Sequence, residues 1–323
     1  MMKSIRPNVL PLKQALEAAE RGGYALGAFA PRYTPMIQPI LRAGQRMQSP
    51  LIIQISQNEL RRYGVTPQAF ADAFTAAMEH ERVTVPVVLH LDHTKDMDVI
   101  AAAIEAGFTS VMIDASEHPL EKNIAITQSV VRYAHTHGVS VEAELGMIGT
   151  TDFVETDQDE ELFTDPDEAE RFVRETGVDA LAVSVGTAHG VYNVRQPRVD
   201  YDRLQAIRAR TPVHLVLHGG SGVPAEMIAR AMQLPGGGIS KVNIATDLEL
   251  ATLGALGREE RMTDAECRAL PSAELERARA AVEQTVIDKI EHFVRSGGWA
   301  VPVLGALALA EEPEEQDDAK RRD

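Results

Sequence analysis

Cysteine is nearly absent from this chain: one residue, Cys267, in 323. That single thiol excludes an internal disulfide and any zinc module built from several cysteines. Basic residues are also scarce: 32 Lys and Arg stand against 48 Asp and Glu, for a formal charge of -16. So acidic a chain repels phosphate backbones, which argues against a nucleic-acid partner while leaving room for a small-anion site. No run of about 18 apolar residues occurs, so no membrane span is expected. Polar residues with Pro7 and Pro11 precede any hydrophobic stretch, which is not the pattern of a secretory leader. The expectation is a soluble, cytoplasmic protein.

Apolar residues are plentiful, at 44%, enough for a substantial core. Eight short runs read as strands: residues 25–30, 51–56, 85–91, 110–114, 139–145, 180–185, 213–218 and 239–244. Several are almost continuous Val, Ile, Leu and Ala, as parallel strands buried on both faces require. Helical patterns lie between most of them, at 35–45, 67–78, 97–106 and 124–136. Eightfold alternation of this kind predicts an α/β fold, a (β/α)8 TIM barrel in one domain over residues 1–310; a doubly wound open sheet is the rival. Residues 151–170 carry ten acids and no Lys or Arg, and follow strand five. They read as a long solvated loop or as a lid over a barrel mouth, with a helix starting at Pro166. Residues 272–293 form a C-terminal helical extension, and 311–323 an acidic, disordered tail. The loop contributes -10 and the tail -4 to the charge, leaving -2 for the rest.

Polar residues gather at the carboxyl ends of the strands, which converge on one mouth in a barrel. Strand three ends His90-Leu91-Asp92-His93, strand six runs into Gly186-Thr187-Ala188-His189-Gly190, and strand seven into His218-Gly219-Gly220-Ser221-Gly222. His93, His189 and His218 can give three imidazoles to one zinc ion and leave a position open, the catalytic pattern; hydrogen-bonded core histidines are the alternative. Asp92, on a strand end beside one of them, suits a general acid/base or a further ligand, and His90 an outer partner. Glu142 and Glu144 share one sheet face, which calls for a metal, a bound monovalent cation or a salt bridge. The Gly219–Gly222 run can expose consecutive backbone N–H groups, Ser221 adds a hydroxyl, and Thr246 starts a helix whose N-terminus favours an anion. A tight turn without a ligand is the plainer reading.

Five segments in this order, HLDH (90–93), VEAELG (141–146), VGTAHGVY (185–192), LHGGSG (217–222) and KVNIATD (241–247), resemble the class II, metal-dependent ketose-bisphosphate aldolases. Fructose- and tagatose-bisphosphate aldolases are the best-known members, and the resemblance covers about residues 12–300. It implies a zinc-dependent (β/α)8 lyase of carbohydrate metabolism, in or near glycolysis, that is a homodimer or homotetramer. By motif, His93, His189 and His218 correspond to the zinc ligands, and Glu144 to a carboxylate near an alternative metal position. Asp92 corresponds to the acid that protonates the aldehyde oxygen. Gly190, Gly219, Ser221 and Thr246 correspond to the phosphate cradle, in which Gly220 also lies. Gly190 and Gly219 would offer carbonyls to Na+ or K+. Asn243 corresponds to the residue that hydrogen-bonds dihydroxyacetone phosphate.

Three departures bear on the substrate. The family loop commonly reads Gly-Gly-x-Glu-Asp, with its Glu as base; here 149–153 reads GTTDF, which puts Asp152 at the base position with Glu155 as a substitute. The strand-one motif Gly-Ala-Phe-Asn-Val is here Gly27-Ala28-Phe29-Ala30-Pro31-Arg32, so an amide is lost and a cation introduced. Arg32 could meet an anionic group on an unusual aldehyde, or be an ordinary surface arginine. Ala245 stands where fructose-type enzymes have Asp and tagatose-type enzymes Ala. A Schiff-base aldolase using Lys241 would leave the three histidines unexplained. Outside enzymes, the alternative is a catalytically weak protein that binds metal and phosphosugar.

Overall fold

The computed structural model describes residues 6–148, 163–190 and 196–311, with side chains to residue 305. Eight strands pair in sequence order, all parallel, and β8 returns to β1 to close the barrel. They are β1 Leu26–Phe29, β2 Leu51–Ser56, β3 Val87–Thr94, β4 Ser110–Ile113, β5 Ser140–Leu145, β6 Ala180–Val183, β7 His214–Leu217 and β8 Ile239–Ile244. All eight expected strands are present, so the open-sheet alternative falls.

Helices α1 Leu12–Gly22, α2 Ile37–Met47, α3 Gln57–Tyr63, α4 Pro67–His80, α5 Met97–Ala106, α6 Leu120–Thr136 and α7 Pro166–Thr176 precede α8 Tyr201–Arg210 and α9 Ala225–Met232. They are followed by α10 Thr246–Leu256, α11 Asp264–Arg268, α12 Ser272–Asp288 and α13 Ala300–Glu311. Pro166 does open α7, with the Asp165 side chain accepting from the backbone N–H groups of Asp167 and Glu168. The extension α12 ends in a π-turn, Lys289–Phe293, and buries Ala278, Val282, Val286 and Ile287 against α2 and α10 of its own barrel. Among the described residues, no helix is long and apolar enough to cross a membrane.

The barrel interior is apolar at one end and polar at the other. In α1, Leu12, Ala15, Leu16 and Ala19 recur at helical spacing and bury one face. That face meets Leu26, Ala28, Ile52, Val88, Met112, Ala182 and Val216 and plugs the end where the strands begin. Glu20 fastens the plug, taking a hydrogen bond from Arg208 at 2.7 Å and lying 2.9 Å from His214 Nδ1. With this end shut, the polar strand ends at the opposite mouth are where a ligand can enter.

Candidate active site

Strand alternation should send Asp92 and His93 to opposite faces. It does not, because the β3–β4 register shifts between Leu91 and Thr94. His93 adopts φ +30, a conformation a β-carbon resists. The irregularity re-aims the strand end so that both side chains serve the mouth, at a backbone cost on the order of 1–3 kcal/mol.

His93, His189 and His218 converge there, with one ligand nitrogen from each within 4.8 Å of the others. Carboxylates orient two of these rings. His93 Nδ1 lies 3.2 Å from Asp114 Oδ2, which turns its Nε2 inward. His218 Nε2 lies 2.9 Å from Glu142 Oε1, which turns its Nδ1 inward. The two inward nitrogens stand 2.8 Å apart. Outer carboxylates of this sort fix the ring orientation of metal-binding histidines.

The charge balance supports a cation. Asp92, Glu142 and Glu144 are buried and Asp114 is half-buried, with the ammonium of Lys241 set among them. Glu144 Oε2 is buried with no hydrogen-bond partner, 3.9 Å from both His93 Nδ1 and His218 Nδ1. Burial, then the Asp114 charge, push the Glu144 carboxyl up to about 8. Burial alone would depress His93, but the Asp92 charge, the Asp114 hydrogen bond and the Glu144 charge raise it to about 9. Both shifts report surplus negative charge. Burial holds His189 and His218 below the ordinary imidazole value, hence neutral. Two neutral imidazoles, a third whose proton a cation would displace, and an orphaned carboxylate oxygen together fit a divalent ion such as zinc.

Asp92 is gripped by its neighbours. Gln54 donates to Oδ2 at 3.2 Å, and Asn243 Nδ2 lies 3.1 and 3.3 Å from the two oxygens. Burial raises its carboxyl, but the His93 charge, the contact with His90 and the Lys241 charge outweigh this, so it rests as a carboxylate. Asn243 Oδ1 is buried without a partner.

The residues expected to cradle phosphate meet between β7 and β8. Gly219 has φ +66, and a β-carbon there would stand 2.2 Å from the Ala188 carbonyl oxygen, so only glycine fits. Ser221 Oγ accepts from the backbone N–H groups of Ala245 (3.3 Å) and Asp247 (3.2 Å), which leaves its proton for another acceptor. Thr246 begins α10 beside it. Gly220 differs from expectation: its N–H is donated to the Asn243 carbonyl at 3.1 Å, so Gly220 ties β7 to β8 instead of offering an amide to phosphate. The Ala245 N–H is likewise committed to Ser221, and its methyl adds no polar group. Gly190 follows His189 with φ +109. Asp152 and Glu155 lie outside the described residues, as do most of the acidic loop and tail.

Two other expectations change. Arg32 is not a surface arginine: it is half-buried, paired with Glu59 and 3.8 Å from Glu249, which also takes hydrogen bonds from buried Tyr63 and exposed Arg261. Lys241 is wholly buried with its Nζ 2.8 Å from Glu142 Oε2, so a salt bridge accounts for one of the two paired glutamates. Asp114 was missed by the sequence reading, although it closes the strand-four run 110–114 and obeys the same strand-end rule as Asp92. Gln54 gave no signal, being one amide inside an apolar run.

Comparison with known proteins agrees with this geometry. The family model for class II fructose-bisphosphate aldolase matches residues 10–298. The chain is 40% identical to a fructose-bisphosphate aldolase of Geobacillus stearothermophilus over 296 residues, covering 90% of this chain and 98% of the relative. Its fold superposes on the YdjI aldolase of Escherichia coli K12 with a TM-score of 0.75 and 30% identity, covering 90% of this chain and 99% of that one. A fructose-bisphosphate aldolase of Campylobacter jejuni shares the fold at a TM-score of 0.71 and 24% identity, over 90% and 97% of the two chains. The chain belongs to the class II fructose-bisphosphate aldolase family and is a metal-dependent aldolase of phosphorylated ketoses.

Proposed function

We propose that the protein cleaves a ketose 1-phosphate or ketose 1,6-bisphosphate into dihydroxyacetone phosphate and an aldehyde, and runs the reverse condensation. The observation that carries this is the convergence of His93, His189 and His218 beside a carboxylate, Asp92, that neighbouring donors hold in place. The three histidines hold zinc, with Glu144 as an alternative ligand. When bound there, zinc supplies a Lewis acid that polarises the substrate carbonyl.

The chain's own groups do the rest. In cleavage Asp92, resting as a carboxylate, takes the proton of the ketose hydroxyl as the carbon–carbon bond breaks; in condensation it returns that proton to the aldehyde oxygen. Asn243 keeps Asp92 oriented through Nδ2 and has Oδ1 to accept from a hydroxyl of dihydroxyacetone phosphate. Gly190, Gly219, Ser221 and Thr246 surround the phosphate, where Ser221 donates its hydroxyl and the start of α10 adds its positive end. Asp152 or Glu155 exchanges the proton on carbon. Carbonyls of Gly190 and Gly219 bind a sodium or potassium ion near the phosphate. A homodimer or homotetramer in the cytoplasm belongs to the same reading.

Ala245 favours tagatose 1,6-bisphosphate, whereas the Geobacillus relative's name favours fructose 1,6-bisphosphate. A coupled assay for dihydroxyacetone phosphate, run with zinc-loaded protein on both sugars and on ketose 1-phosphates, tests the proposal. Release from at least one is expected. Release from none, with the sugars still bound, would leave a phosphosugar-binding protein.

A further inference from the structure

Lys241 stands on β8 wholly inside the barrel, where burying an ammonium is costly unless it is paired. Its Nζ lies 2.8 Å from Glu142 Oε2 and 4.0 Å from Asp92 Oδ1. The other oxygen of Glu142 lies 2.9 Å from His218 Nε2, and His218 Nδ1 faces His93 Nε2 at 2.8 Å. Lysine, glutamate and histidine thus form a line from the barrel interior to the centre of the three imidazoles, with no member exposed. A carboxylate held at both oxygens has one orientation. An acceptor on Nε2 places the ring proton there, and Nδ1 then carries the lone pair that a metal needs.

Glu142 has a competing partner. His90 Nε2 is 3.6 Å from the same Oε2 and is buried without a hydrogen bond. Without the lysine, the carboxylate can turn toward His90 and let go of His218. Lys241 also supplies positive charge to His90, Asp92 and Glu142, a second group with ligand atoms within 4.8 Å of one another.

We propose that Lys241 is a positioning residue for the metal site: it locks Glu142, and through it the ring of His218, in the orientation that presents Nδ1 to the ion. The inference rests on the three-histidine zinc site proposed above. It is tested with full-length Lys241→Met, by chelator competition at less than one zinc per chain, so that the tightest site reports. The visible spectrum of cobalt(II) added as a probe is read in parallel. Zinc affinity is expected to fall about 10–100-fold, the range for losing an outer partner, and the cobalt bands to shift. If the single variant fails to fold, Lys241→Met/Glu142→Gln, which removes both buried charges, is measured instead and carries the same expectation. Wild-type affinity together with an unchanged cobalt spectrum in either folded variant overturns the proposal. His93→Ala, run alongside, separates the two readings: if it too keeps wild-type affinity, the three-histidine site itself is wrong.

Discussion

Gly219, next to His218, packs on the backbone of Ala188, next to His189, and Gly219→Ala tests that joint. The added β-carbon would lie 2.2 Å from the Ala188 oxygen, 2.5 Å from its carbonyl carbon and 2.9 Å from its nitrogen. All three are backbone atoms, so no side-chain rotation relieves the clash, and the segments must part by about 1 Å to reach van der Waals distance. Ala188 precedes His189 and Gly219 follows His218, so the movement separates two imidazoles. The left-handed backbone at φ +66 adds about 1–2 kcal/mol and the overpacking about 1–3 kcal/mol. The total, about 2–5 kcal/mol, corresponds to a melting-temperature loss of about 3–7 °C for a chain of this size. Gly64→Ala is the control: φ there is +70 with nothing within 4 Å of a β-carbon, so it carries the backbone cost alone. Thermal unfolding and zinc competition on both variants read the outcome. If Gly219→Ala melts with Gly64→Ala and binds zinc like wild type, the close approach of the two loops is wrong.

Three further outcomes are expected. Asp92→Asn keeps its zinc by metal analysis but loses about 100-fold or more in cleavage rate; a rate within threefold of wild type would remove Asp92 from the proton transfer. Ser221→Ala raises the KM for the phosphorylated ketose about 10- to 150-fold, because one hydrogen bond to a charged group is worth about 1.5–3 kcal/mol; an unchanged KM would contradict its placement in the cradle. Burial pushes the Glu249 carboxyl up, but the Arg261 hydrogen bond and the Arg32 and Arg261 charges outweigh it and hold it below the ordinary value. Such a group adds stability above the ordinary carboxylate range and loses it as pH falls through the folded value. Glu249→Gln therefore destabilises by about 1–2 kcal/mol at pH 7, since it weakens the pair with half-exposed Arg261 and removes one of the two carboxylates facing Arg32, which keeps Glu59. In urea unfolding the gap from wild type should narrow below about pH 4, and a gap that does not depend on pH would refute this.

The barrel was legible because parallel strands covered on both faces leave long apolar runs, and Leu51–Ser56 and Ile239–Ile244 match expectation residue for residue. The three histidines were legible for a related reason: strands all parallel bring their carboxyl ends to one mouth. Less visible was anything that depends on what faces what across the interior. Lys241 reads as one lysine in KVNIATD, and only closure of the barrel puts it against Glu142. Arg32 sits in a turn like any exposed arginine until α3 and α10 bring Glu59 and Glu249 to it. The bulge at His93 was hidden because period-two alternation forbids two neighbouring residues from sharing a face, and only a register shift lifts that rule. Gly220 misled because a glycine that permits close packing and one that bares an amide look alike in sequence.

The proposed mechanism has three imidazoles from separate strand ends holding the ion on which aldol cleavage depends. It is tested most directly by stripping the protein with a chelator, restoring zinc stepwise, and following bound metal and dihydroxyacetone phosphate release together. Activity should vanish on stripping and return in proportion to zinc, saturating at one ion per chain in wild type. His93→Ala, His189→Ala and His218→Ala should each lose both zinc and activity. Cleavage that persists in metal-free protein, or full zinc occupancy in all three variants, would contradict the account.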